Sequence, residues 1–283
     1  MQELLAGGGY QAAIESRRNN RRESMQELGC STWCLMDREL SEVLETLSAR
    51  TGTVEILSEA AHDILYCSEA CFSFDLRYTV HSPTADINIA SCREPIRRAS
   101  LGLLREVCGV AGDIGAGCVV VHPGFSPWIE MLDRSYLALR ESLGDLAAIQ
   151  EEYGVPIAVE NMGSWKVCHF RDPSFLPALQ EAGLSFCLDL GHANLNGVLD
   201  EFLSRGEPLH VHLHNNDGSD DSHQALGNGN IDLSRVLPLL PRDASRIVEV
   251  QTLEAYDESI RFIAEAEKGG PGGSRYTGDG NNI

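Results

Sequence analysis

The chain has 283 residues, 43% of them hydrophobic, and a formal net charge of −20. The length suits one large α/β domain or two small ones; the N-terminus is polar and charged, unlike a secretory signal, and no apolar run reaches the roughly 18 to 20 residues a membrane span needs. So acidic a balance argues against a nucleic-acid grip, which relies on basic faces, though it does not exclude a local basic patch, and bound cations would relieve part of the self-repulsion.

Residues 1–24 read as a flexible N-terminal extension, with a glycine run at Gly7–Gly9 and a basic patch of Arg17, Arg18, Arg21 and Arg22. The tetrapeptide Met-Gln-Glu-Leu occurs at Met1–Leu4 and again at Met25–Leu28, which marks Met25 as a natural start or a domain boundary. Regular alternation then runs over residues 25–268, and residues 269–283, rich in Gly, Asn and Ser, read as a disordered tail.

Within the alternating region, short β-branched or apolar runs are followed by longer amphipathic stretches. Predicted strands are Gly29–Trp33, Thr53–Leu57, Arg77–His81, Cys118–His122, Ile157–Glu160, Ser185–Asp189, Leu209–His214 and Arg246–Val250. The clearest predicted helices are Glu94–Gly115 and Ser135–Tyr153, where Leu, Ala and Val recur at three-to-four spacing. Unbroken apolar runs such as Cys118–Val121 suit strands buried on both faces of a parallel sheet. Eight such units point to a single-domain (β/α)8 barrel. The alternative is a doubly wound open sheet, but its glycine-rich phosphate loop after the first strand is missing; Ser31-Thr32-Trp33-Cys34 stands there instead. Nine cysteines, with no CxxC pair, are expected to be reduced thiols of a cytoplasmic protein rather than a disulfide framework or a thiolate zinc site.

The chemistry lies at the strand ends. The third strand ends at His81, the fourth at His122 and the fifth at Glu160; the sixth ends at Asp189 with His192 three residues on. The seventh ends at His214, the following loop carries Asp221 and His223, and the eighth strand carries Glu249. In a (β/α)8 barrel these ends converge on one mouth. So many carboxylates and imidazoles cannot share a small site without cations, because like charges repel and burial adds desolvation. Mixed imidazole and carboxylate donors suit zinc, with manganese or iron as alternatives. A lone strand-end histidine is more often structural; the set is not explained that way. His210 and His212 share the face of His214 by period two and read as deeper core or supporting residues. His62 and His169 fall outside the pattern. Glu55 is a candidate extra acid at the mouth, and Asn161, Asn215 and Asp217 are candidate supporting or substrate contacts.

From about Gly29 to Ala266 these residues resemble the xylose-isomerase-like barrel superfamily, and within it the endonuclease IV family. The most specific stretch is His214 to Ile231, with its Asp-x-His and Leu-Gly-x-Gly-Asn-Ile. The resemblance implies three zinc ions: one held by His81, His122 and Glu160; a second bridged by Glu160 and completed by Asp189, His214 and Glu249; a third held by His192, Asp221 and His223. It implies a zinc-dependent phosphoesterase in which Glu160 and Glu249 are the catalytic carboxylates. The same superfamily holds single-metal sugar isomerases and epimerases, for which Glu160, Asp189, His214 and Glu249 would suffice; His81, His122, Asp221 and His223 therefore discriminate. A third reading is a metal-binding barrel without chemistry. The sequence departs from the DNA-repair pattern at Pro83–Asp86, where that family presents an aromatic side chain, and at Cys34–Asp37, where Arg38 is the nearby cation. Expected partners are thus a phosphate ester or sugar phosphate ahead of damaged DNA, with no membrane.

Overall fold

The apolar runs are buried on both faces because the strands close on themselves. The computed structural model describes residues 28–268; both the expected extension over residues 1–24 and the expected tail lie outside them. The strands are β1 (Gly29–Ser31), β2 (Thr53–Leu57), β3 (Arg77–His81), β4 (Val119–Val121), β5 (Ile157–Glu160), β6 (Ser185–Asp189), β7 (His210–Leu213) and β8 (Ser245–Val248). They form a closed barrel in sequence order, with β1 parallel to β8. Closure rules out the open sheet. Four strands have the predicted bounds. The others are shorter: β4 and β7 lose one residue at each end and β8 runs Ser245–Val248; after β1 the chain enters a 3-10 turn at Thr32–Leu35, where Ser31 Oγ accepts from the Trp33 amide.

The α-helices are α1 (Leu40–Ser48), α2 (Ile64–Cys67), α3 (Glu94–Asp113), α4 (Leu132–Tyr153), α5 (Leu176–Ala182), α6 (Leu190–Leu195), α7 (Leu199–Arg205), α8 (Leu233–Val236) and α9 (Leu253–Lys268). Helix α3 buries Leu101, Leu104, Val107, Cys108 and Ala111, the three-to-four stripe the sequence predicts. Helix α4 stops at Gly154, whose φ of 66° a side chain would strain. The hydrocarbon lies between strands and helices, in one cluster running from Cys30 to Tyr256; inside the barrel the apolar cluster is Val120, Ala158 and Cys187. All nine cysteines are free thiols. No described helix is long and apolar enough to cross a membrane.

Candidate metal centre

Strand register sets the height of each side chain in the mouth. His81 ends β3 opposite Val120, Glu160 ends β5 opposite Cys187, and Asp189 ends β6 opposite His212. Asp189 also caps α6, its Oδ1 accepting from the His192 amide at 2.6 Å, so one short turn presents both side chains. Asn161 clamps that turn: it accepts from the Asp189 amide, donates to the Asp189 carbonyl, and its own carbonyl lies 2.9 Å from His192 Nδ1. Gly191 is required here, since a Cβ would collide with the His214 ring.

The loop carrying Asp221 and His223 is pinned by Asn215. Its amide nitrogen donates to the Leu226 and Ile231 carbonyls, and its oxygen accepts from the Asn216 and Ile231 amides. His223 adopts a positive φ of 42° and its Nδ1 sits 3.0 Å from the Glu249 carbonyl, which aims Nε2 at Asp221. Asn161 and Asn215 are thus supporting residues, whereas Asp217 is exposed and caps the turn at Ser219.

Three donor groups result. His81 Nε2 and His122 Nε2 lie 3.1 and 3.2 Å from Glu160 Oε2. His212 Nδ1 lies 3.4 Å from Glu160 Oε1, 3.5 Å from Glu249 Oε2 and 3.8 Å from Asp189 Oδ2. His192 Nε2 and His223 Nε2 lie 3.2 and 3.3 Å from Asp221 Oδ2. Ligand atoms within each group fall within 4.8 Å of one another. Donors about 2.1 Å from one zinc in a tetrahedron stand about 3.4 Å apart, so the spacing suits a shared cation.

All nine sequence-predicted residues reach this mouth, and His212 joins them. The expected middle set of Glu160, Asp189, His214 and Glu249 has a second imidazole beside it: His212 Nδ1 faces all three carboxylates, while His214 Nε2 lies 3.0 and 3.1 Å from the two Asp189 oxygens. His214 stands one layer higher, its ring stacked on His223 at 3.7 Å, and it joins His192, Asp221 and His223. Period two put both histidines on the inner face, but only the pairing of Asp189 with His212 sets which is level with the carboxylates. Glu55 is not at the mouth. It lies opposite Thr79, two residues before the His81 level, fully buried, with Oε1 2.9 Å from His212 Nε2 and Oε2 2.9 Å from His210 Nε2. The two histidines set aside in the sequence stay outside the mouth groups: His62 Nε2 lies 3.1 Å from the Arg38 carbonyl, and His169 Nε2 lies 2.8 Å from Ser135 Oγ.

The electrostatics are those of a site that draws cations. Burial opposes charge at Glu160, Asp189, Asp221, His81 and His223, yet at each of these the partners win. Glu160 is held well below the usual carboxylate range by His212 and His122, Asp189 is lowered by His192 and His214, and Asp221 is lowered by His192 and His223. Reciprocally, His81 is lifted to about 9 by Glu160, and His223 to about 9 by Asp221 and Glu249, in each case against burial. Four buried atoms of these residues, His212 Nδ1 and Nε2, His214 Nδ1 and Asp221 Oδ1, make no hydrogen bond among the described residues. Such atoms are costly unless something else occupies them. The site is flanked by two aromatic edges, Trp33 against His223 at 4.4 Å and Trp165 against His192 at 5.7 Å.

The chain is similar to proteins of known family. It is 34% identical over 239 residues to an uncharacterized protein, MJ1614, of Methanocaldococcus jannaschii, covering 83% of this chain and 94% of that one. It is 28% identical over 205 residues to a probable endonuclease 4 of Mycobacterium leprae, covering 67% and 79%. Among solved structures it is similar to a D-tagatose 3-epimerase-like protein, with a TM-score of 0.78 and 27% identity over 86% of this chain and 97% of the other. Residues 49–266 match the family described as xylose isomerase-like TIM barrel, and with its closed eight-stranded barrel the chain belongs to that family.

Proposed function

We propose that the protein is a metal-dependent hydrolase of phosphate esters working on a multinuclear zinc centre. The observation that carries this reading is the division of Glu160: its Oε2 serves His81 and His122 while its Oε1 faces His212, so one carboxylate joins two donor groups. The donor set fits zinc: imidazoles and carboxylates at ligand-to-ligand spacing, with four buried atoms of these residues making no hydrogen bond among the described residues. His81, His122 and Glu160 would hold one ion; Glu160, Asp189, His212 and Glu249 a second; His192, His214, Asp221 and His223 a third. When bound, such ions supply Lewis-acid charge to a phosphate ester and lower the pKa of water.

The protein's own groups do the rest. Asn161 and Asn215 fix the loops that carry the donors. Glu249 faces the mouth beside His212 and His223, where it can hold a proton, and Glu160 shares that task while linking two groups. His122 and Asp221 are the more open donors, 30% and 15% exposed, so substrate approaches along their side. A small phosphate ester or sugar phosphate suits this acidic chain better than damaged DNA, whose binding depends on cation-rich faces.

A second reading is favoured by one specific observation. Glu160, Asp189, His212 and Glu249 form a complete single-ion set, and a similar solved structure bears an epimerase-like name. There Glu160 and Glu249 would pass a proton between the faces of a sugar. Metal analysis with two assays separates the readings. Two or more zinc ions per chain and hydrolysis of bis(p-nitrophenyl) phosphate are expected. One ion per chain, no phosphoester cleavage, and solvent deuterium entering a ketose would favour the epimerase. Nicking of an abasic duplex would extend the substrate class to DNA.

A further inference from the structure

We infer that Glu55 is a positioning residue for the metal centre, gripping His212 from below through a buried His210–Glu55–His212 stack. This rests on the reading of Glu160, Asp189, His212 and Glu249 as a metal group. The interior of a (β/α)8 barrel is ordinarily filled by layers of branched apolar side chains. Here the layer beneath the mouth holds a carboxylate with no solvent exposure between two imidazoles with none, each 2.9 Å away. Thr79 Oγ1 donates to Glu55 Oε2 at 3.2 Å, and His210 Nδ1 lies 2.6 Å from Ser245 Oγ, so the stack is anchored on β3 and β8.

Well-packed apolar residues can replace a buried ion pair with little loss of stability, so stability alone does not call for this stack. What it gives is direction. Nε2 of His212 stands in ion-pair contact with Glu55 Oε1 while Nδ1 is turned to Glu160, Asp189 and Glu249; neither nitrogen makes a hydrogen bond among the described residues. A carboxylate behind a ligating imidazole fixes its tautomer and ring orientation, and loss of such a partner lowers metal affinity by roughly 10- to 100-fold.

The test is a cobalt(II) titration of the full chain followed by visible absorption, with metal content measured in parallel. In Glu55→Gln, cobalt affinity at the middle group is expected to fall at least roughly tenfold, with an altered ligand-field band, while far-UV circular dichroism is retained. Asp189→Asn identifies which band belongs to that group. His210→Gln leaves the Glu55–His212 contact and is expected to produce a smaller loss with the same band change, and it serves as the test if Glu55→Gln does not fold. Folded variants with unchanged affinity and spectrum overturn the role of Glu55 alone. Wild-type protein that binds no cobalt overturns the metal reading beneath it. A sulfur-to-cobalt charge-transfer band removed by Cys187→Ser also overturns the inference, because it places the ion with Cys187, His210 and His212 rather than with the carboxylates.

Discussion

The space outside the strands and the space inside them are filled with opposite materials. Between strands and helices lie Leu44, Leu104, Leu139, Phe202 and Tyr256, all at 0 or 1% exposure. Inside, an apolar cluster of Val120, Ala158 and Cys187 is overlaid by Glu55, His210, His212, Glu160 and Asp189, also buried. The outer layer follows the hydrophobic effect, which rewards every apolar side chain removed from water. The inner layer opposes it, since each buried ionisable group costs free energy unless paired. The fold tolerates the inner layer because the outer one is large, and the polar interior is where the chemistry can be placed.

Four measurements would break or sharpen this division. The largest effect is expected from the inside. Glu160→Ala should reduce phosphoester hydrolysis at least about a hundredfold and remove metal from two groups, whereas His223→Ala should empty only the group containing Asp221. Equal metal loss from the two variants would contradict the linking role of Glu160. Next comes the outside. Phe202, packed between Phe170 and Phe186 with ring centroids 5.7 and 6.2 Å away, should cost about 3–5 kcal/mol in urea unfolding as Phe202→Ala. Its folded form should keep wild-type metal content; a metal deficit would mean that the two layers are not independent.

A third comparison uses two glycines. Gly191→Ala must displace His214, and is expected to destabilise by about 1–3 kcal/mol and to weaken metal binding near His223. Gly102 in α3 has open space where an alanine methyl group would stand, so Gly102→Ala should stabilise by up to about 1 kcal/mol and leave metal unchanged. The smallest effect concerns pH. Burial pushes His169 down to about 4, below its ordinary value of about 6.5. Between those values the unfolded chain binds a proton the native state does not, so stability falls as pH drops through that window and is restored above it. His169→Gln should flatten this slope in unfolding curves recorded from pH 7 to 4; an unchanged slope would assign it to other groups.

Much of the barrel is legible in the sequence, because burial on both faces leaves unbroken apolar runs whose ends are marked by a charged or imidazole side chain. Thr53–Leu57, Arg77–His81, Ile157–Glu160 and Ser185–Asp189 have the same bounds in sequence and structure. The loop pinned by Asn215 is also legible through its Asp221-Ser222-His223 spacing. The depth of a residue in the barrel is not. Along β7, His210, His212 and His214 carry the same period-two signal, and Glu55 in β2 looks like any acid near a strand end.

The sequence by itself determined which residue types face inward and which strands deliver them to the mouth, because pleat and helical period are local properties of the chain. Only the tertiary structure decided their heights. Pairing Asp189 with His212 and Glu55 with Thr79 fixes the stagger of neighbouring strands, and closing a barrel constrains that stagger around the whole ring. That stagger sets His212 level with the carboxylates, lifts His214 toward His223 and lowers Glu55 beneath them, a distinction no single strand carries in its own residues.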